Sequence, residues 1–176
     1  MPKSSQEQIE IDEKKVIDEL QKDAKQSIDK IGKNCGFSRQ KVWRILKKLE
    51  ENKIIWGYRP VVDYEKLNLK SYLILIKRTN KPFTIENVDI ITSRKLKEAT
   101  SKYQINIINS YFTHGSHDWF ICVTAKDIRE VKKVIEIFTT ILIDFIENVE
   151  VLEVIFPVEI NNCPNPNVNQ IKEFFR

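Results

Sequence analysis

Ile31-Gly32-Lys33-Asn34-Cys35-Gly36-Phe37-Ser38-Arg39-Gln40-Lys41-Val42-Trp43-Arg44-Ile45-Leu46 has the pattern of two short helices joined by a tight turn. Two helices that touch need a small residue at the contact, and Gly32 supplies it. The turn needs a residue tolerant of positive φ, and Gly36 supplies that. Ile31, Cys35, Phe37, Val42 and Ile45 are the apolar positions that lock the pair together. Arg39, Gln40, Lys41 and Arg44 crowd the exposed start of the second helix. Their donors and acceptors suit base edges and phosphates, so the stretch reads as a DNA-binding helix-turn-helix.

Charge placement supports the same interpretation. The net charge is +4 over 176 residues, and residues 61–176 carry as many acidic as basic groups. Residues 30–60 hold nine Lys or Arg and two Asp or Glu, so the whole excess sits on this motif. A solvated helix face would explain a charge run alone. Its coincidence with the glycine and apolar pattern points to nucleic acid. With 41% apolar and 31% charged residues, the composition is that of an ordinary globular chain. No apolar run approaches the roughly 20 residues of a membrane span. The polar start Met1-Pro2-Lys3-Ser4-Ser5 has no signal-peptide core. Cys35, Cys122 and Cys163 are scattered and odd in number. They argue against a disulfide framework or zinc ribbon, and for the reducing cytoplasm.

Around the motif, a first helix is expected from Asp12 to Asp23, with Asp12 as its N-cap and Val16, Ile17 and Leu20 on one side. Ser27 should cap the second helix, and Ser38 the third, which runs to about Asn52. Val42, Leu46 and Leu49 form the buried stripe of that third helix. Ile54 to Val62 is an apolar stretch bent at Gly57, expected as a wing or strand. Asp63 to Leu69 reads as a short helical turn.

From residue 70 the period changes. Ser71 to Ile76 is a continuous apolar run, expected as a strand buried on both faces. Three-four spacing of Ile85, Val88, Leu96, Ala99 and Tyr103 predicts a helix over 85–103. Ile105–Phe112 and Trp119–Thr124 predict two strands around the hairpin tip His114-Gly115-Ser116-His117. Ile128, Val131, Ile135, Phe138, Leu142 and Phe145 predict an amphipathic helix opening at Asp127. Val149–Ile160 is expected as the last strand. The order is β-α-β-β-α-β, the ferredoxin-like arrangement, and the fold class is α+β. Asn161 to Arg176 is either a frayed terminus or a short docked helix, in one arrangement docked on a neighbouring subunit. The expected division is 1–63 for the DNA-binding domain, 64–70 for a linker, 71–160 for the second domain, and 161–176 for the tail.

These elements together resemble the Lrp/AsnC, or feast/famine, transcription regulators over roughly residues 10–160. The most specific local signature is "isoleucine, any residue, glycine, tyrosine" after the recognition helix, here Ile55-Trp56-Gly57-Tyr58. The Lys- and Ile-rich style is similar to archaeal members. The resemblance implies an N-terminal winged helix-turn-helix that binds operator DNA. It also implies a C-terminal RAM domain that forms homodimers and higher homo-oligomers and often binds an amino-acid effector between subunits. The family's hairpin signature is Gly-Asp-aromatic-Asp. Here it is Gly115-Ser116-His117-Asp118: Ser116 replaces an acid and His117 an aromatic.

The DNA-binding candidates are therefore Ser27, Ser38, Arg39, Gln40, Lys41, Arg44, Lys47 and Lys48. Gln suits adenine and Arg suits guanine by bidentate geometry. Lys47, Lys48, Lys33 and Lys25 suit phosphates, as do the helix N-termini at Ser27 and Ser38. Trp43 either packs against the first helix or sits near the groove, and packing is the preferred expectation. Gly115, Ser116, His117 and Asp118 are the effector-binding candidates. His114 and His117 raise zinc, but structural zinc takes four ligands and no second pair is visible, so no metal or cofactor is expected. Cys122 is expected in the core. Two rival functions are an architectural DNA binder without sequence preference, and an enzyme resembling the haem-pathway decarboxylases built on this plan. Such an enzyme would want histidines and arginines lining a pocket and would not need a basic recognition helix; this chain keeps the basic helix and has two histidines.

Overall fold

The computed structural model describes residues 5–82, 84–92, 95–100 and 102–175. The chain divides into two compact units. One runs to Val61 and takes in Asn161–Cys163; the other holds Val62–Ile160 and the residues from Pro164 on.

The first unit contains α1 (Gln6–Lys22), α2 (Ile28–Cys35) and α3 (Arg39–Glu51). Each starts at a serine whose hydroxyl accepts a backbone N–H three residues on: Ser5, Ser27 and Ser38. Helix α1 therefore opens at Ser5, and Asp12 is not its cap. Asp12 lies inside α1 with its carboxylate buried against α3. The core is Val16, Ile31 and Val42, flanked by Leu20, Ile28, Cys35, Phe37, Ile45 and Leu46.

Two glycines shape the α2–α3 turn. Gly36 closes α2 at φ 72°, in the left-handed region, and its N–H is shared between the carbonyls of Gly32 and Lys33. A Cβ on Gly32 would stand 2.8 Å from the Phe37 carbonyl oxygen, so only glycine admits this approach. Beyond α3 the expected strand over Ile54–Val62 does not form. The N–H groups of Ile54 and Ile55 both turn back to the Leu49 carbonyl, and Pro60 has no N–H to give a ladder. Trp56 in this stretch is 94% exposed.

The second unit begins with a short 3-10 turn, Glu65–Leu67, closed by Asn68 in the left-handed region. Its sheet is built from β1 (Lys70–Arg78), β2 (Asn106–Phe112), β3 (Trp119–Ala125) and β4 (Ile146–Glu153). The order is β2-β3-β1-β4, with every neighbour antiparallel. Helices α4 (Ile85–Thr92), α5 (Lys95–Thr100) and α6 (Ile128–Ile141) complete the β-α-β-β-α-β order. Asp127 caps α6, accepting the N–H groups of Arg129 and Glu130.

Alternation along β1 places Tyr72, Ile74 and Ile76 in the core with Trp119, Ile121, Val123, Val131, Val134 and Phe138. Leu73 and Leu75 are only half-buried, so β1 is not buried on both faces. Cys122 pairs with Leu73 on that second face and is half-buried as well, outside the expected core. The helix expected over 85–103 is two helices; Ser93, Arg94 and Ser101 of that span lie outside the described residues. The last strand ends at Glu153 rather than Ile160. After it, β5 (Glu159–Ile160) and β6 (Cys163–Pro164) form a separate ladder across Asn161 and Asn162, both at positive φ. The tail is folded: Val168–Glu173 is a 3-10 helix, and the Phe174 ring lies 5.7 Å from that of Phe156.

Candidate nucleic-acid interface

With Val42 and Leu49 buried and Leu46 beside them, the opposite side of α3 faces outward. At 3.6 residues per turn, Arg39, Trp43 and Lys47 fall in one row at i, i+4 and i+8. Gln40 and Arg44 form the adjacent row. All five are exposed. Arg39 opens the helix, and its guanidinium pairs with Asp29 in the first turn of α2. Arg44 Nε donates to the Gln40 carbonyl at 3.4 Å, which lays the side chain along the helix surface. Lys47 lies 3.6 Å from Glu51, and its ammonium stands 5.3 Å from the Trp43 ring centre.

The remaining candidates are engaged inside the unit. Lys41 Nζ is 2.6 Å from Asp12 Oδ2 and 3.9 Å from the Phe37 ring centre. The hydrogen bond from Lys41 holds the Asp12 carboxyl below its ordinary value, against the opposing effect of burial. Lys48 Nζ is 2.7 Å from Glu13 Oε1. Both lysines thus turn from the outer face toward α1. Ser27 and Ser38 are spent as caps, which leaves the first N–H groups of α2 and α3 at the surface. A third tie fixes α2: Asn34 donates to Glu19, and Lys22 and Gln26 join that cluster.

Trp43 is the residue whose surroundings differ from expectation. It does not pack on α1; it is 52% exposed on the cationic face. The signal was present in the spacing, since Trp43 is offset from the Val42–Leu46–Leu49 stripe and falls between Arg39 and Lys47. Asp12 and Glu13 had no local signal, because their partners lie far along the chain.

In the second unit the hairpin candidates form a tied turn. Asp118 Oδ2 accepts the Arg78 backbone N–H at 3.0 Å, and its carboxylate also meets the Lys77 and Arg78 side chains. That backbone bond, first among its contacts, lowers the Asp118 pKa. Ser116 Oγ lies 3.1 Å from His117 Nδ1, and His117 Nε2 lies 3.4 Å from Glu150. Gly115 is exposed at the tip. Among the described residues no three His, Cys, Asp or Glu side chains group as metal ligands. No helix among them is long and apolar enough to cross a membrane.

Residues 13–55 match the winged helix-turn-helix DNA-binding family. Solved structures extend the likeness to the rest of the chain. LrpC of B. subtilis is 19% identical, over 90% of this chain and 99% of its own, with a TM-score of 0.60. An AsnC family transcriptional regulator from Agrobacterium tumefaciens is 21% identical over 85% and 92%, at 0.59. The chain has the Lrp/AsnC fold. A third solved structure, a Neisseria meningitidis transcriptional regulator in complex with L-Met, is 15% identical over 89% and 96%, at 0.61. No curated protein matches the sequence. In the Lrp/AsnC fold of this chain, the helix-turn-helix is the unit up to Val61, and the four-stranded sheet with its helices is the other.

Proposed function

We propose that this chain is a sequence-specific DNA-binding transcription regulator of Lrp/AsnC type, without a catalytic role. The observation that carries this is the outer face of α3. Arg39, Gln40, Arg44 and Lys47 stand exposed together on a helix whose other side is locked into a core. Such a face enters a major groove, with Arg and Gln reading base edges and lysines meeting phosphates. Lys25, Lys33 and the capped N-termini at Ser27 and Ser38 supply further phosphate contacts. Lys41 and Lys48 hold the helix against α1 and reach DNA only by leaving their acids.

Residues 71–160 assemble subunits. The sheet face turned away from the core carries Leu73, Leu75, Tyr111, Phe120, Cys122 and Leu152, and Tyr111 and Leu152 are exposed. An open apolar sheet face with an exposed edge strand, β2, favours cover by a second copy. A dimer presents two copies of α3, so the operator is a rough palindrome. The hairpin Gly115–Asp118 is the effector candidate, with an amino acid as the ligand class. The L-Met complex of the Neisseria protein supports that class. Ser116 and His117 would then replace the family's acid and aromatic ring in selecting it.

Binding to the DNA upstream of the chain's own gene, against random DNA across a salt series, tests this function. Selective binding with a steep salt slope is expected. Equal affinity for random DNA would instead make the chain an architectural binder, since phosphate contacts do not discriminate.

A further inference from the structure

We propose that Trp43 is a base-reading residue that recognises thymine through its C5 methyl group. This rests on the DNA-binding function proposed above and specifies what part of the operator the helix selects.

The apolar side of α3 is already satisfied by Val42, Leu46 and Leu49, so Trp43 is not needed for the core. It is nevertheless the largest side chain on the opposite side, 52% exposed in a row between Arg39 and Lys47. An exposed indole flanked by cations suits a polyanion that also offers an apolar spot. In the major groove of B-DNA the apolar feature on a base edge is the thymine methyl. The cations bring phosphates and guanine acceptors to both sides of the ring, which places Trp43 over the base edges between them. Lys47, 5.3 Å from the ring centre, limits the indole's freedom in the free protein. Gln40 lies three residues before Trp43 on the same face, and its amide matches adenine. Gln40 and Trp43 together therefore select an A·T step, with arginine-matched guanines beside it.

The test uses the full chain and a duplex recovered from a randomised library by binding to it. That duplex is remade with deoxyuridine for every thymine, which removes only the methyl groups. Affinity of wild type and Trp43→Ala is measured on both duplexes. Wild type should bind about fourfold more weakly for each methyl it touches. Trp43→Ala should bind the thymine duplex about tenfold more weakly and be indifferent to the replacement. Trp43→Phe should keep part of the methyl sensitivity, and all three proteins should melt alike. A preferred duplex on which wild type ignores the replacement overturns the inference and leaves the regulator function standing. An equal loss in wild type and Trp43→Ala overturns it too, because the methyls would then act through another residue or through DNA shape. Failure of wild type to recover any preferred duplex overturns the regulator function, and this inference with it.

Discussion

Lys41 Nζ lies 2.6 Å from Asp12 Oδ2, and this ion pair ties the start of α3 to the middle of α1. The Asp12 side chain is 8% exposed and also accepts a hydrogen bond from Gln8. A carboxylate so placed is stable only while its partners stay. Lys41 is thus better suited to fixing the angle of the helix than to probing a groove. Lys41→Met should destabilise the first unit by roughly 1–2 kcal/mol, less than a fully buried pair would cost because Lys41 is part-exposed. Asp12→Asn with Lys41→Met should recover part of the loss. A double-mutant cycle in urea reads the coupling, and strictly additive losses would show that the pair contributes nothing.

The turn between α2 and α3 should tolerate no side chain at either glycine. Gly36→Val forces a β-branched residue into the left-handed region and should cost upward of about 1–2 kcal/mol. Gly32→Ala drives a methyl against the Phe37 carbonyl, which is backbone and cannot swing away. Both variants should melt several degrees lower than wild type, while Gly115→Ala in the other unit should leave the melting of the helical unit unchanged.

Arg39→Ala and Arg44→Ala should weaken operator binding without unfolding the protein, since both guanidiniums are exposed. A guanidinium that reads a base should be worth about 1–3 kcal/mol of binding, and one that meets a phosphate should flatten the salt slope by about 0.9 when it is removed. Asp29→Asn gives the complementary result. Released from its ion pair, Arg39 should raise affinity for random DNA and lower the preference for the operator. Unchanged affinity in the arginine variants would show that α3 is not the reader.

Acid stability should report the cap of α6. The Arg129 side chain, with the backbone N–H groups of Arg129 and Glu130, lowers the Asp127 pKa to about 2 from an ordinary 3.8. The folded state thus favours the charged form. Its contribution is complete above the ordinary value and is lost as pH falls through about 2. Asp127→Asn keeps a capping oxygen but has no proton to take up. Its melting temperature should lie below that of wild type at pH 6, and the gap should close between pH 4 and pH 2. A constant gap across that window would remove Asp127 from the acid response.

Much of the fold was legible because its signals are local. Ser27, Ser38 and Asp127 cap helices through N–H groups two or three residues away, and Gly36 needs only its own φ. The stripes in α3 and α6 repeat within a few residues, whereas Ser71–Ile76 reads as an unbroken apolar run and only the sheet shows its alternation, with Leu73 and Leu75 half-buried. The Lrp/AsnC order of elements follows from these local signals. The chain end was read less well: β4 stops at Glu153, and Glu159 starts a new ladder that turns at Asn161-Asn162, because strand length depends on which partner strand remains in reach.

Sequence alone thus determined a helix-turn-helix followed by β-α-β-β-α-β, and put the positive charge on residues 30–60. Tertiary structure decided which of those charges face outward. Lys41 and Lys48 resemble Arg44 and Lys47 in sequence, yet α1 brings Asp12 and Glu13 to the first two, while among the described residues Arg44 and Lys47 bond only within α3. Packing also turned Trp43 outward. Caps and turns are closed by neighbours along the chain, whereas an ion pair between α1 and α3 exists only once the helices have met.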